Sequence, residues 1–178
     1  MTKGKRNQKE AGYEIKTFPV PFTLEVFKEN ISISTNNLSL TSKEIIIKKA
    51  INFHSQGNIT EAARYYQHLI NQGFKDHKIF NDYGVILKAL GKLKKAELYI
   101  CKAIEINPDF AEAHYSLGNI LRDQKKLKNA EISTRKAIEL KPSFAEAHYS
   151  LGNILRDQKK LRNAEISTRK AIELKPGF

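Results

Sequence analysis

A block of 34 residues that occurs twice in succession limits what this chain can fold into more than any other feature. Ala111–Phe144 and Ala145–Phe178 differ at two positions only, Lys128 against Arg162 and Ser143 against Gly177. Pro108, Pro142 and Pro176 keep the same interval, and it extends backwards with falling similarity through residues 77–110 and 43–76. Four units therefore occupy residues 43–178. A repeat of this length is one supersecondary element that cannot bury its apolar side alone, so the units must stack and share a core.

Within a unit the apolar spacing predicts two helices. Residues 111–124 carry Leu117, Ile120 and Leu121 at the three-to-four interval of a buried helical stripe. Lys125 and Lys126 interrupt the pattern, Leu127 anchors the turn, and a second helix runs from about residue 128 to 140, with Ala130, Thr134, Ala137 and Ile138 inward. Pro142 ends it, because its ring and missing N–H cannot continue a helix. Small residues recur at fixed places, Ala50, Gly84, Gly118 and Gly152 on first helices and Ala62, Ala96, Ala130 and Ala164 on second ones. A glycine inside a helix costs about 1 kcal/mol relative to alanine, and close packing of an antiparallel pair is what offsets it.

The arrangement resembles the tetratricopeptide repeat family, whose 34-residue pattern places Leu-Gly on the first helix, alanines on the second and proline at the end. It is met at Leu117-Gly118, Ala130, Ala137 and Pro142, and again at Leu151-Gly152, Ala164, Ala171 and Pro176; Tyr83-Gly84, Ala96, Ala103 and Pro108 follow the same plan. The last two units hold His114 and His148 at the first aromatic position and Thr134 and Thr168 at the last. Unit 43–76 has Lys49 for leucine and Phe74 for proline, so it reads as a degenerate cap. The resemblance implies an all-α, right-handed superhelical solenoid of about four antiparallel helix hairpins. Its general style is similar to arrays in cyanobacterial proteins and in O-linked N-acetylglucosamine transferases.

In that family the concave face is lined by first helices and binds peptide or protein segments. Carried onto this chain, the groove comprises Lys78, Asn81, Val85 and Lys88; Glu112, Tyr115, Asn119, Arg122 and Asp123; and Glu146, Tyr149, Asn153, Arg156 and Asp157, with Ile47, Ile51 and His54 from the first unit. Asparagine offers a peptide backbone both donor and acceptor, tyrosine gives rigid contact area with a polar tip, and arginine pairs carboxylates. Repeats that grip acidic chaperone tails have lysine where Tyr115 stands, and the asparagine ladder of the transferases falls on Asp82, Ser116 and Ser150; neither scheme is complete here. The expectation is a non-catalytic protein-interaction scaffold. The alternative is a substrate-recruiting arm for a glycosyltransferase or other modifying enzyme supplied elsewhere.

Net charge is +12, which raises nucleic acid as a partner. Divided by segment, residues 1–42, 43–76, 77–110, 111–144 and 145–178 carry +2, +2, +2, +3 and +3, and every unit also holds carboxylates. That evenness ranks RNA binding through distributed lysines below protein binding. Repeated residues such as Glu112, Glu131 and Glu139 read as surface, since an active site needs a unique constellation. The histidines stand at core aromatic positions without metal-ligand spacing, no phosphate-binding glycine loop occurs, and Cys101 reads as a packing residue. No catalytic, metal or cofactor site is expected.

Residues 1–42 fit no unit. Residues 3–16 read as a disordered basic tail, residues 17–22 as an extended segment around Pro19 and Pro21, and residues 30–42 as a linker. The absence of a secretory pattern and of a long apolar run points to a cytoplasmic protein with no membrane span. At the other end, the second helix of the last unit nearly copies one that must pack against a following unit. Its outward side, including Ile166 and Phe178, suggests a longer array or self-association.

Overall fold

The structure, a computed structural model, describes residues 40–177. These form α1 (Leu40–Ser55), α2 (Ile59–Asn71), α3 (His77–Ala89), α4 (Leu93–Ile106), α5 (Ala111–Asp123), α6 (Leu127–Leu140), α7 (Ala145–Asp157) and α8 (Leu161–Leu174), with no strand among the described residues. The two-helix unit is borne out four times. Leu127 opens α6, so it belongs to the helix and not to the turn, and α1 begins three residues ahead of the expected first unit. Pro108, Pro142 and Pro176 each follow a second helix by two residues, where they block its continuation. The basic tail, the extended proline segment and Phe178 lie outside the described residues.

Each turn inside a unit closes in the same way. The N–H groups of Gly57, Gly91, Lys125 and Lys159 donate to the carbonyl three residues back, and the next N–H reaches five back, as from Lys126 to Leu121 at 2.9 Å. This closure requires positive φ: 76° and 71° at the two glycines, 63° and 66° at the two lysines. Glycine adopts that region freely, whereas a lysine Cβ crowds the following carbonyl at a cost of about 1 kcal/mol. Lys125→Gly is therefore expected to stabilise the protein by about 1 kcal/mol and raise Tm by about 3 °C in a circular-dichroism melt. A Tm at or below that of the parent would show that the lysine is not strained.

The hairpins are held tight by the recurring small residues. A Cβ built on Gly84 would stand 2.6 Å from Ile100 Cδ1, and one on Gly118 would strike Thr134 Oγ1 and lie 3.3 Å from the Ala130 carbonyl oxygen. Ala62, Ala96 and Ala130 opposite are fully buried. Around these crossings the core runs as a column from unit to unit. Tyr66, Leu69, Ile79, Ile86 and Ile100 fill it between α2 and α4. Farther along it becomes more polar: the place of Ile100 is taken by fully buried Thr134, whose hydroxyl finds no hydrogen-bond partner. The two ends of the stack differ. On α1 the residues equivalent to the buried Ser150, Leu151 and Ile154 of α7 are Lys48, Lys49 and Asn52, all exposed, as suits a solvated cap.

Neighbouring units touch through the second helix of one and the first helix of the next, and α3 also packs on α5 and α5 on α7. Successive second helices do not approach one another to the same degree. Among α3, α5 and α7 the first helices are thus closer together than the second helices, which places their row on the inner side of the curve.

Candidate binding face

The residues expected to line the groove fall at intervals of three, seven and ten along each first helix, so each set occupies one helical stripe. The structure brings these stripes side by side, and much of their chemistry is spent on one another. Arg122 Nε donates to Asp157 Oδ2 at 2.7 Å, and Lys88 Nζ lies 3.0 Å from Asp123 Oδ2. Each cation therefore pairs with an aspartate of the next unit, 35 residues on, and Arg122 does so although Asp123 adjoins it in sequence. The hydrogen bond from Arg122 holds the Asp157 carboxyl below the usual range. Ser150 Oγ donates to Asn119 Oδ1 at 2.6 Å, extending the same cross-unit ladder.

These contacts change what the groove can offer. Asn119, expected to supply both donor and acceptor, has its carbonyl engaged and keeps its amide N–H groups. Arg122, expected to pair with a ligand carboxylate, already has a carboxylate. Asn81 is a clear departure: it is 7% exposed, its Nδ2 donates to Asp82 Oδ1 at 3.3 Å, and its Oδ1 has no partner. Two lysine anchors were not foreseen; Lys141 and Lys175 bond Glu112 and Glu146, each at 2.9 Å, so both glutamates are occupied. Lys78 remains exposed.

The stripe on α7 is the most open. Tyr149 is 43% exposed, whereas its equivalent Tyr115 leans on Phe144 with ring centroids 5.1 Å apart. Asn153 and Arg156 carry no ion pair or side-chain hydrogen bond among the described residues, and both border a recess of about 520 Å³ that continues past Ala164 to Ile172. The inner face thus combines a neutralised rail on α3 and α5 with exposed polar and aromatic groups on α7.

Elsewhere the recurrent groups serve the fold. His114 and His148 place Nε2 2.8 and 2.9 Å from the carbonyl oxygens of Pro108 and Pro142, tying each first helix to the linker before it. Tyr66 reaches Asp82 at 3.2 Å, and burial pushes the Asp82 carboxyl up, against the pull of its bonds from Asn81 and Tyr66. The Cys101 thiol is also pushed up, first by burial and then by Glu97 and Glu105, which makes it a poor nucleophile. No group of three potential metal ligands occurs among the described residues, and no described helix is long and apolar enough to cross a membrane.

One tetratricopeptide repeat model matches residues 111–144, and a second matches residues 77–110 and 145–178. The chain belongs to the tetratricopeptide repeat family. The crystal structure of MamA is similar in fold at 20% identity, with a TM-score of 0.68 over 81% of each chain. MamA from Desulfovibrio magneticus RS-1 aligns at 23% identity and a TM-score of 0.65, over 75% of this chain and 76% of its own. YrrB, described as a TPR protein with an unusual peptide-binding site, aligns at 22% identity and a TM-score of 0.65, over 76% of this chain and 70% of its own. Identities this low carry the fold alone. No curated protein matches the sequence.

Proposed function

We propose that this tetratricopeptide repeat protein is a non-catalytic scaffold that holds an extended peptide or protein segment against its first helices. The observation that carries this reading is the state of the inner face. The ladder through Asn119, Arg122 and Asp157 fixes the row, while Tyr149, Asn153 and Arg156 stand at the same heights on α7 with contact area, amide groups and a cation to offer. That a similar fold, YrrB, is described as peptide-binding supports the class of ligand. Peptides selected from a random display library on the parent protein are expected to lose about tenfold in affinity on a Tyr149→Ala, Asn153→Ala variant, with Tm unchanged. Selected peptides that bind both proteins equally would remove the inner face as the site.

A second reading concerns α8. Leu161 is 65% and Ile172 is 49% exposed, whereas their equivalents Leu127 and Ile138 are half-buried beneath the following unit. Ile166, expected to mark this bare side, does not: its equivalent Ile132 is 68% exposed although a unit follows it. We propose that Leu161 and Ile172 form the contact through which two copies of this chain associate. Sedimentation equilibrium is expected to show dimer in the parent and monomer in a Leu161→Glu, Ile172→Glu variant; a parent that stays monomeric at every concentration ends this reading.

A further inference from the structure

Counted along the sequence, the positive charge is spread evenly; in the folded chain it is not. The turns inside units 2, 3 and 4 lie next to one another, as two bonds show directly: Gln124 Nε2 donates to the Leu93 carbonyl oxygen at 3.4 Å, and Gln158 Nε2 to that of Leu127 at 3.0 Å. Each turn, with the helix start that follows, carries three exposed cations, within residues 92–95, 125–128 and 159–162. Segments 88–97, 122–131 and 156–165 on this edge have net charges of +3, +2 and +2, against −2, +1 and +2 for the longer segments 98–112, 132–146 and 166–178, which run to the opposite edge. The carboxylates on the basic edge are already committed. Glu97 bonds Gln124 and Lys126, Glu131 bonds Arg135 and Lys160, Glu165 bonds Arg169, and the two aspartates belong to the inner ladder. Lys125, Lys128, Lys159 and Arg162 make no ion pair among the described residues.

We propose that this turn edge is a docking track for an acidic polypeptide segment, separate from the inner face. Packed helices lie about 9 Å apart, and an extended chain advances about 3.4 Å per residue, so about three residues of a bound strand pass each cation cluster. A run of glutamates or aspartates therefore meets every cluster in turn. Eight of the nine cations are lysines, point charges that attract an anionic strand without fixing its geometry. The three segments contain no aromatic side chain on which a base could stack. The track is also one turn wide, which suits a single strand better than a duplex. These features favour a carboxylate-rich peptide over nucleic acid.

The test is titration of the full chain with fluorescent deca-glutamate, beside double-stranded DNA of matched charge, at about 50 and 200 mM salt. Binding to deca-glutamate is expected, weakening about tenfold between the two salts. Lys125→Glu, Lys128→Glu, Lys159→Glu together should weaken it a further tenfold or so. A control triple on the opposite edge, Lys102→Glu, Lys136→Glu, Lys170→Glu, changes net charge equally and should leave affinity within about twofold. The Tyr149→Ala, Asn153→Ala variant should bind deca-glutamate as the parent does, which separates this track from the inner face. Equal losses in both charge triples would show an effect of net charge without a site. Tighter binding of DNA at both salts would assign the edge to nucleic acid, and no deca-glutamate binding at the lower salt would remove the track altogether.

Discussion

Ile154→Ala is expected to lower stability by about 3 kcal/mol and to loosen one end of the molecule selectively. Ile154 is fully buried and packs with Leu121 and Ala130, two residues of the preceding unit. Its side chain is therefore part of the joint between units, and its loss leaves a cavity that two rigid helix pairs cannot close. In a stack where each unit touches only its neighbours, damage to one joint stays local. Amide hydrogen exchange in α7 and α8 should accelerate about 100-fold, the equivalent of roughly 3 kcal/mol, while α1–α4 keep their protection. Equal acceleration in all helices would mean that the four units open as one body and would defeat the local reading.

Gly118→Ala should also destabilise, by about 2 kcal/mol, although alanine is the better helix former by about 1 kcal/mol. The added methyl strikes Thr134 Oγ1 and lies 3.3 Å from the Ala130 carbonyl oxygen. The threonine is fully enclosed, so it has little room to turn away, and the carbonyl belongs to a helix backbone. Removing the obstacle by Thr134→Ala in the same chain should recover at least half of the loss, a coupling of about 1 kcal/mol in a double-mutant cycle from urea unfolding. Simple additivity of the two changes would place the cost elsewhere than in this contact. At Gly84 the same collision is with Ile100, so the glycine requirement survives a change in the residue opposite.

Much of the architecture was legible because a repeat reports its own geometry. In units 2 to 4, proline after the second helix, glycine at the crossing and alanine facing it are local steric requirements, and they recur with the backbone. The stripes at 112, 115, 119 and 122 and at 146, 149, 153 and 156 came from the family resemblance, and helical periodicity adds only that each set shares one face. What those side chains do on that face was not legible. Arg122 stands beside Asp123 in sequence and bonds Asp157 in space; Asn119 bonds Ser150, and Asn81 is buried next to Asp82. A faint signal did exist, in polar groups that complement one another at offsets of 31 and 35 residues.

The sequence by itself determined the unit, its two helices and the stacking of four such units. These follow from steric and apolar preferences that act within a few turns of chain. Tertiary structure alone decided which polar groups remain available and where the charge collects. Stacking lays each turn against the next, so charges one repeat apart become neighbours. Some cancel along the inner ladder, and the rest accumulate on one edge, which no count along the chain can distinguish from an even spread.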